Sequence, residues 1–241
     1  MRPNGFSGIF LLLFCVLAFS GCRKEDDGLR GFMCEATVLG DSVKGFHCYL
    51  DGGGLVISHD RWLKGIERGY FAFHYTEEDW QTDDVHGIHI ANAHVYPEAV
   101  YKVIRPVSRE EAGSLHVSAE DTCRTPDHFT LGYGWRGYFD LYTGVAVMNS
   151  ESGEKASVQM NMIYDPDRQT ADTLLLQFCY HPRIPDAWNR HCFLYGSASC
   201  DISSFASLRP WSDSVNIVVE VGDKRYGRKI SKEDFLKPEL K

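Results

Sequence analysis

The sequence predicts an all-β protein: after an N-terminal apolar run, a small OB-type barrel and then an antiparallel β-sandwich. Three observations carry this. Beyond the N-terminal apolar run almost nothing has helical period, and short apolar runs recur between Gly, Asp, Pro and Ser clusters, as in sandwiches and barrels. Several runs alternate strictly. In "SVQMNMIY", Val158, Met160, Met162 and Tyr164 share a face opposite Gln159 and Asn161; in "SVNIVVEV", Val215, Ile217, Val219 and Val221 do the same. Finally, the polar, proline-broken stretch "RPVSREEAGSLHVSAEDTCRTPDH" divides two series of strands, each large enough for its own core.

Residues 1–21 read as an export signal. Met1-Arg2 supplies a positive end, and Phe6 to Phe19 an apolar core of 14 residues, short of the ~20 that span a bilayer. Ser20-Gly21 before Cys22 resembles a bacterial lipoprotein signal cleaved at the cysteine. The Cys22 thiol then takes a diacylglycerol and its freed amine a further acyl chain. Each buried methylene is worth ~0.8 kcal/mol, so several chains anchor stably. An ordinary signal peptide that contains Cys22 is the alternative. Residues 22–28 form an acidic tether. Within it Lys24, Glu25, Asp26 and Asp27 resemble the Lys-then-acidic tag that sends lipoproteins of Bacteroides-like bacteria to the outer face of the outer membrane. Surface display is therefore expected, with a periplasm-facing anchor as the alternative.

Residues 29–105 form the barrel, with strands expected at Gly31–Leu39, Gly45–Asp51, Leu55–Ser58, Tyr70–Tyr75 and His86–Tyr96. "PEAVYKVI" closes the unit as a short turn or strand. Residues 106–127 are the linker. Residues 128–227 form the sandwich, with strands at Phe129–Gly132, Tyr138–Met148, Ala156–Tyr164, Thr173–Tyr180, Cys192–Asp201 and Ser214–Val221. The charged tail, 228–241, is expected to fray.

These segments together resemble the NigD-like lipoproteins of Bacteroides and relatives. The carriers are "GFMCEATVL", "RGYFAFHYTEEDW" and "HGIHIANAHVYPEAVYKVI" in the first unit, with "MNMIYDPDRQTADTLLLQFCYH" and "LYGSASCDISSF…WSDSVNIVVEV" in the second. The likeness covers nearly all of residues 29–222. It implies a lipidated tail, an OB domain and a β-sandwich. It also implies a link to bacteriocin immunity, and it brings no reaction, cofactor or catalytic residue. This chain carries more histidines and cysteines than the family pattern.

Charge narrows the partners. The formal net charge of −8 becomes −9 once Arg2 leaves with the signal. That argues against nucleic acid, which is held by Lys and Arg on phosphates, and against binding anionic lipid by charge. Six cysteines remain beyond Cys15 and Cys22, without a C-x-x-C, which argues against a redox motif or zinc ribbon. An exported chain can form disulfides. If "FMCEATVL" and "KGFHCYL" make a hairpin centred on Asp41, Cys34 lies opposite Cys48 on the apolar face, within disulfide reach. The alternative is two free cysteines packed as small hydrophobes.

Other constellations are weaker. In "HGIHIANAH", His86 and His94 share a face but lie about 27 Å apart along a strand, and His89 points the other way, so no metal site is expected. "YDPDRQTADT" lacks the Gly and the acidic twelfth residue of a calcium loop; a polar strand connection is expected. "TEEDWQTDD" reads as an acidic loop that repels phosphates. "LGYGWRGYFDLY" and "HPRIPDAWNRH" offer Tyr133, Trp135 and Trp188 as rings for a ligand, with Arg136 and Arg190 beside them; ordinary core packing is the alternative. No G-x-S-x-G, H-E-x-x-H or P-loop occurs. The expectation is a surface-anchored, non-enzymatic lipoprotein without a cofactor, whose two β domains bind a protein or glycan. The alternative is an immunity or envelope-protection lipoprotein that captures a cationic toxin.

Overall fold

The computed structural model of the chain describes residues 28–83, 87–114, 125–150, 157–183, 188–207 and 213–238. The signal peptide, Cys22 and the run Lys24, Glu25, Asp26, Asp27 lie outside the described residues. The fold is all-β. No helix among the described residues is long and apolar enough to cross a membrane.

Strands β1 (Leu29–Asp41), β2 (Gly45–Leu50), β3 (Leu55–Ser58), β4 (Arg68–Thr76), β5 (Trp80–Asp83), β6 (Gly87–Ile90) and β7 (His94–Val100) form one sheet. Its order is β5-β6-β3-β2-β1-β4-β7. Ala36 and Val38 of β1, Phe46 and Cys48 of β2, and Phe71 and Phe73 of β4 are buried in one cluster. A single sheet that encloses its own core has to curl. The expected five-stranded OB-type barrel is thus an open, curled sheet of seven strands.

Two differences have local causes. The expected strand His86–Tyr96 is broken at Ala91–Ala93, where Ala91 N donates to Asp79 O and Ala93 N to Ile57 O, both at 2.9 Å. These bonds turn the chain from β6, which lies between β5 and β3, to β7 at the far edge of the sheet. In the acidic loop, Thr76 Oγ1 donates to Asp79 Oδ2 at 2.6 Å and closes a single 3-10 turn. Trp80 therefore starts a strand.

The Cys34–Cys48 disulfide is overturned. Asp41 Oδ1 accepts from Val43 N at 2.7 Å and Lys44 N at 2.9 Å, which centres the turn on Val43. The register then sets Val38 opposite Cys48, while Cys34 faces Phe71 on the other neighbour. Both thiols are free. Burial pushes the Cys48 thiol up to about 12. Cys179, by contrast, is disulfide-bonded.

The second unit has strands β8 (Lys102–Ile104), β9 (Val107–Ser108), β10 (His128–Trp135), β11 (Tyr138–Ser150), β12 (Ser157–Tyr164), β13 (Thr173–Arg183), β14 (Trp188–Asp201), β15 (Ser214–Val221) and β16 (Lys224–Ser231). They make a four-stranded sheet, β10-β11-β14-β8, and a five-stranded sheet, β16-β15-β13-β12-β9. Phe139, Leu141 and Cys200 of the first sheet meet Met162, Phe178 and Ile217 of the second in one core. Each such buried side chain is worth about 1.5–3 kcal/mol.

Strand pairing moves the hand-over between units to Tyr101, because β8 adds in parallel to β14 and β9 to β12. A short helix, α1 (Arg109–Ser114), follows. The start of the tail does not fray: β16 pairs with β15 from Lys224 to Ser231, and Phe235 is fully buried. β16 is an edge strand with most side chains in solvent, so its charged sequence hides its role.

Candidate functional site: the cleft between the two units

Asp140 sits in β11 within "YFDLY", and Arg68 opens β4 within "ERGYFAF". Both interrupt apolar stripes, and the fold brings them together. Arg68 Nε donates to Asp140 Oδ1 at 3.2 Å and Nη2 to Oδ2 at 2.6 Å. The same guanidinium forks onto Asp51, just after β2, through Nη1 and through Nη2 at 2.5 Å. Thr37 Oγ1 accepts a further bond from it at 3.3 Å, and Ser199 Oγ donates to Asp140 Oδ1 at 2.6 Å. Arg68 is completely buried. Burial opposes its charge, but the two carboxylates outweigh that and raise its pKa. Burial pushes the Asp51 carboxyl up to about 6, against the pull of Arg68.

The carboxylates of this ionic group form one wall of a cavity of about 700 Å³ between the units. Glu35 and Asp51 line it from the first unit; β10, β11 and β16 line it from the second. Tyr142 of β11 points its hydroxyl at Tyr101 (3.2 Å) and Glu35 (3.5 Å). Asp234 is held by the Ser231 hydroxyl at 2.6 Å.

The aromatic side of the cleft comes from β10. Its pairing with β11 shifts between Leu131 and Gly134, a bulge that re-aims the intervening side chains. Tyr133 consequently projects from the sheet, 75% exposed, with the Arg228 guanidinium 4.4 Å over its ring. Trp135 lines the same cavity, its indole N–H buried without a partner. The next two residues form a tight hairpin turn with φ of 49° at Arg136 and 83° at Gly137. Both positive values suit a type I′ turn. Arg136 bears this rare backbone while its guanidinium lies 5.4 Å from the Tyr49 ring across the interface. It is an interface contact rather than a free donor at the ligand surface.

Of the rings singled out in the sequence, Tyr133 and Trp135 share the cleft. Trp188 begins β14, but its side chain, like that of Arg190, lies outside the described part. Sequence reasoning missed Arg68, Asp51, Asp140, Glu35 and Tyr142. The available signal was a lone charge in an otherwise apolar strand, at Arg68 and at Asp140. Elsewhere, Asp165 and Asp172 cap their own turn, Asp165 Oδ1 accepting from Asp167 N at 3.1 Å and Asp172 Oδ1 from Thr170 Oγ1 at 2.9 Å. That is the polar connection the sequence suggests. Among the described residues no group of three or more His, Cys, Asp or Glu is placed to hold a metal ion.

The cleft presents aromatic surface beside both signs of charge, a lining that suits polar ligands. No protein-family model matches the chain, and no curated protein matches it. Solved structures do. A protein called toxin related from Parabacteroides distasonis aligns at 15% identity over 85% of this chain and 96% of its own, with a TM-score of 0.51. An uncharacterized protein from Parabacteroides merdae aligns at 7% identity over 84% and 99%, with a TM-score of 0.52. A NigD-like immunity protein from Bacteroides caccae aligns at 11% identity over 83% and 92%, with a TM-score of 0.46. At these identities the likeness to the two Parabacteroides proteins is one of fold.

Proposed function

We propose that this chain is a NigD-like lipoprotein, acylated at Cys22 and held at the outer membrane facing the cell surface. Its inter-unit cleft takes a protein or glycan ligand without catalysing a reaction. The observation that carries the reading is the cleft itself. Tyr133 stands out beside Trp135, and the carboxylates behind them are engaged structurally, Asp51 and Asp140 by Arg68 and Asp234 by Ser231. Groups so engaged fix the walls for recognition.

A photo-crosslinking residue at Tyr133, compared on intact cells with one at the exposed turn residue Val43, tests the cleft. Adducts at 133 and none at 43 are expected; equal adducts, or none at 133, count against the reading. Anchorage is tested separately by acyl labelling and protease shaving of wild type, Cys22→Ala, and Lys24→Ala with Glu25→Ala. Wild type should be labelled and shaved, and the tag variant protected.

A second reading, capture of a cationic toxin, is supported by the Glu35 carboxylate on the cleft wall and by the toxin-related description of the P. distasonis protein. Binding by charge weakens steeply with salt. An adduct at 133 that survives high salt favours the first reading.

A further inference from the structure

A second hollow opens at the rim of the first sheet and shares no residue with the cleft. On the core-facing side of β1, Arg30 lies opposite Tyr75 and Phe32 opposite Phe73. The rings then step outward. Phe73 stacks on Phe32 at 5.2 Å, Phe32 meets Tyr75 at 6.0 Å, and Tyr75 meets Trp80 at 5.7 Å with the planes 33° apart. Here the core ends before the sheet does. Trp80 is 41% exposed, and a hollow of about 420 Å³ is lined by Arg30, Tyr75, Glu77 and Trp80. At its lip Arg30 Nε and Nη2 both donate to Glu77 Oε1, at 3.1 and 2.5 Å. The Thr76–Asp79 bond that closes the adjoining turn fixes Glu77 and Trp80 relative to one another.

We propose that this hollow is a saccharide-binding site. A pyranose ring carries an apolar C–H face and a hydroxyl edge. Trp80 and Tyr75 offer aromatic surface to the face, and Arg30 and Glu77 offer a donor and an acceptor to the edge. The alternatives fit less well. The consecutive acids Glu77, Glu78 and Asp79 repel phosphates and anionic lipid headgroups. A wholly apolar ligand would cover the Arg30–Glu77 pair and leave it desolvated at a cost. Hydroxyls replace the lost water.

The test is native affinity electrophoresis of the purified full chain through gels that contain soluble glucan, mannan, xylan or galactan. Wild type should be retarded by at least one polymer. Trp80→Ala should bind it at least tenfold more weakly, Glu77→Gln several-fold more weakly, and Val43→Ala, in the exposed turn between β1 and β2, as wild type does. Thermal melts establish that Trp80→Ala is folded, and Glu77→Gln, exposed at the lip, decides the matter if it is not. Retardation by none of the four polymers overturns the proposal, as does undiminished retardation of both hollow variants. Binding to neutral phosphatidylcholine vesicles that Trp80→Ala abolishes, without polymer retardation, overturns it in favour of a membrane seat.

Discussion

Arg68 and Asp140, one in each unit and 72 residues apart in sequence, meet through two hydrogen bonds at 3.2 and 2.6 Å with no solvent on the guanidinium. The two β units are therefore fastened by a buried ion group as well as by apolar contact. Removing one partner of such a group strands the other charges in a dry site, at about 3–5 kcal/mol. Arg68→Met leaves Asp51 and Asp140 facing each other, so we expect a loss of that size in denaturant unfolding. Arg68→Lys should rescue little, because a single ammonium cannot fork onto two carboxylates. A loss below ~1 kcal/mol for Arg68→Met, on the scale of exposed pairs, would show that the group does not fasten the units.

The free state of Cys34 and Cys48 predicts an order of thiol reactivity. Cys34 is partly exposed, whereas Cys48 and Cys200 are buried. Burial raises the Cys34 thiol and pushes the Cys48 thiol up to about 12, and only the thiolate reacts. Alkylation of the native chain without reductant, followed by peptide mapping, should label Cys34 first and Cys48 only on unfolding. Finding Cys34 and Cys48 in one disulfide-linked peptide pair would refute the register.

That register shows where the sequence stopped being readable. Alternation places Ser214–Val221 to the residue, because that strand buries every other side chain against a core. The hairpin centre, in contrast, depends on one side chain, Asp41, accepting from Val43 N and Lys44 N; a shift of two positions there moves Cys48 away from Cys34. β16 escapes the pattern because an edge strand buries little beyond Ile230. β8 and β9 are too short to alternate, and only their distant partners make them strands. In the cleft, Tyr133 and Trp135 are legible as clustered rings beside glycines. Asp51 is not, since its partner Arg68 is defined by tertiary structure alone.

Acid should reveal the Glu220 ion group. Arg168 Nη2 lies 2.9 Å and Arg225 Nη2 2.8 Å from Glu220 Oε1. Arg168 first, and Arg225 after it, hold the Glu220 carboxyl below its usual 4.5. A carboxyl lowered in the fold adds stability that is present above pH 4.5 and lost as pH falls through its lowered folded value. Glu220→Gln should therefore cost on the order of 0.5–1 kcal/mol at pH 7, as partly exposed pairs do. The difference from wild type should disappear in strong acid. A difference that is unchanged from pH 7 to pH 2 would assign the loss to packing instead of charge.

Gly134 lets β10 lie close against β16 at the floor of the cleft. A Cβ built there would sit 2.6 Å from Ile230 Cγ2, nearer than side-chain carbons approach. Gly134→Ala should consequently destabilise by about 1–3 kcal/mol through overpacking. Ile230→Ala alone empties a buried site at about 2–5 kcal/mol. Combined, the alanine at 134 enters the space that Ile230 leaves, so the double variant should lose less than the sum of the singles. A coupling of at least ~0.5 kcal/mol is the expected result for residues in contact. Strict additivity would mean that β10 moves away from β16 when a methyl is added, and the cleft between the units would then change shape with it.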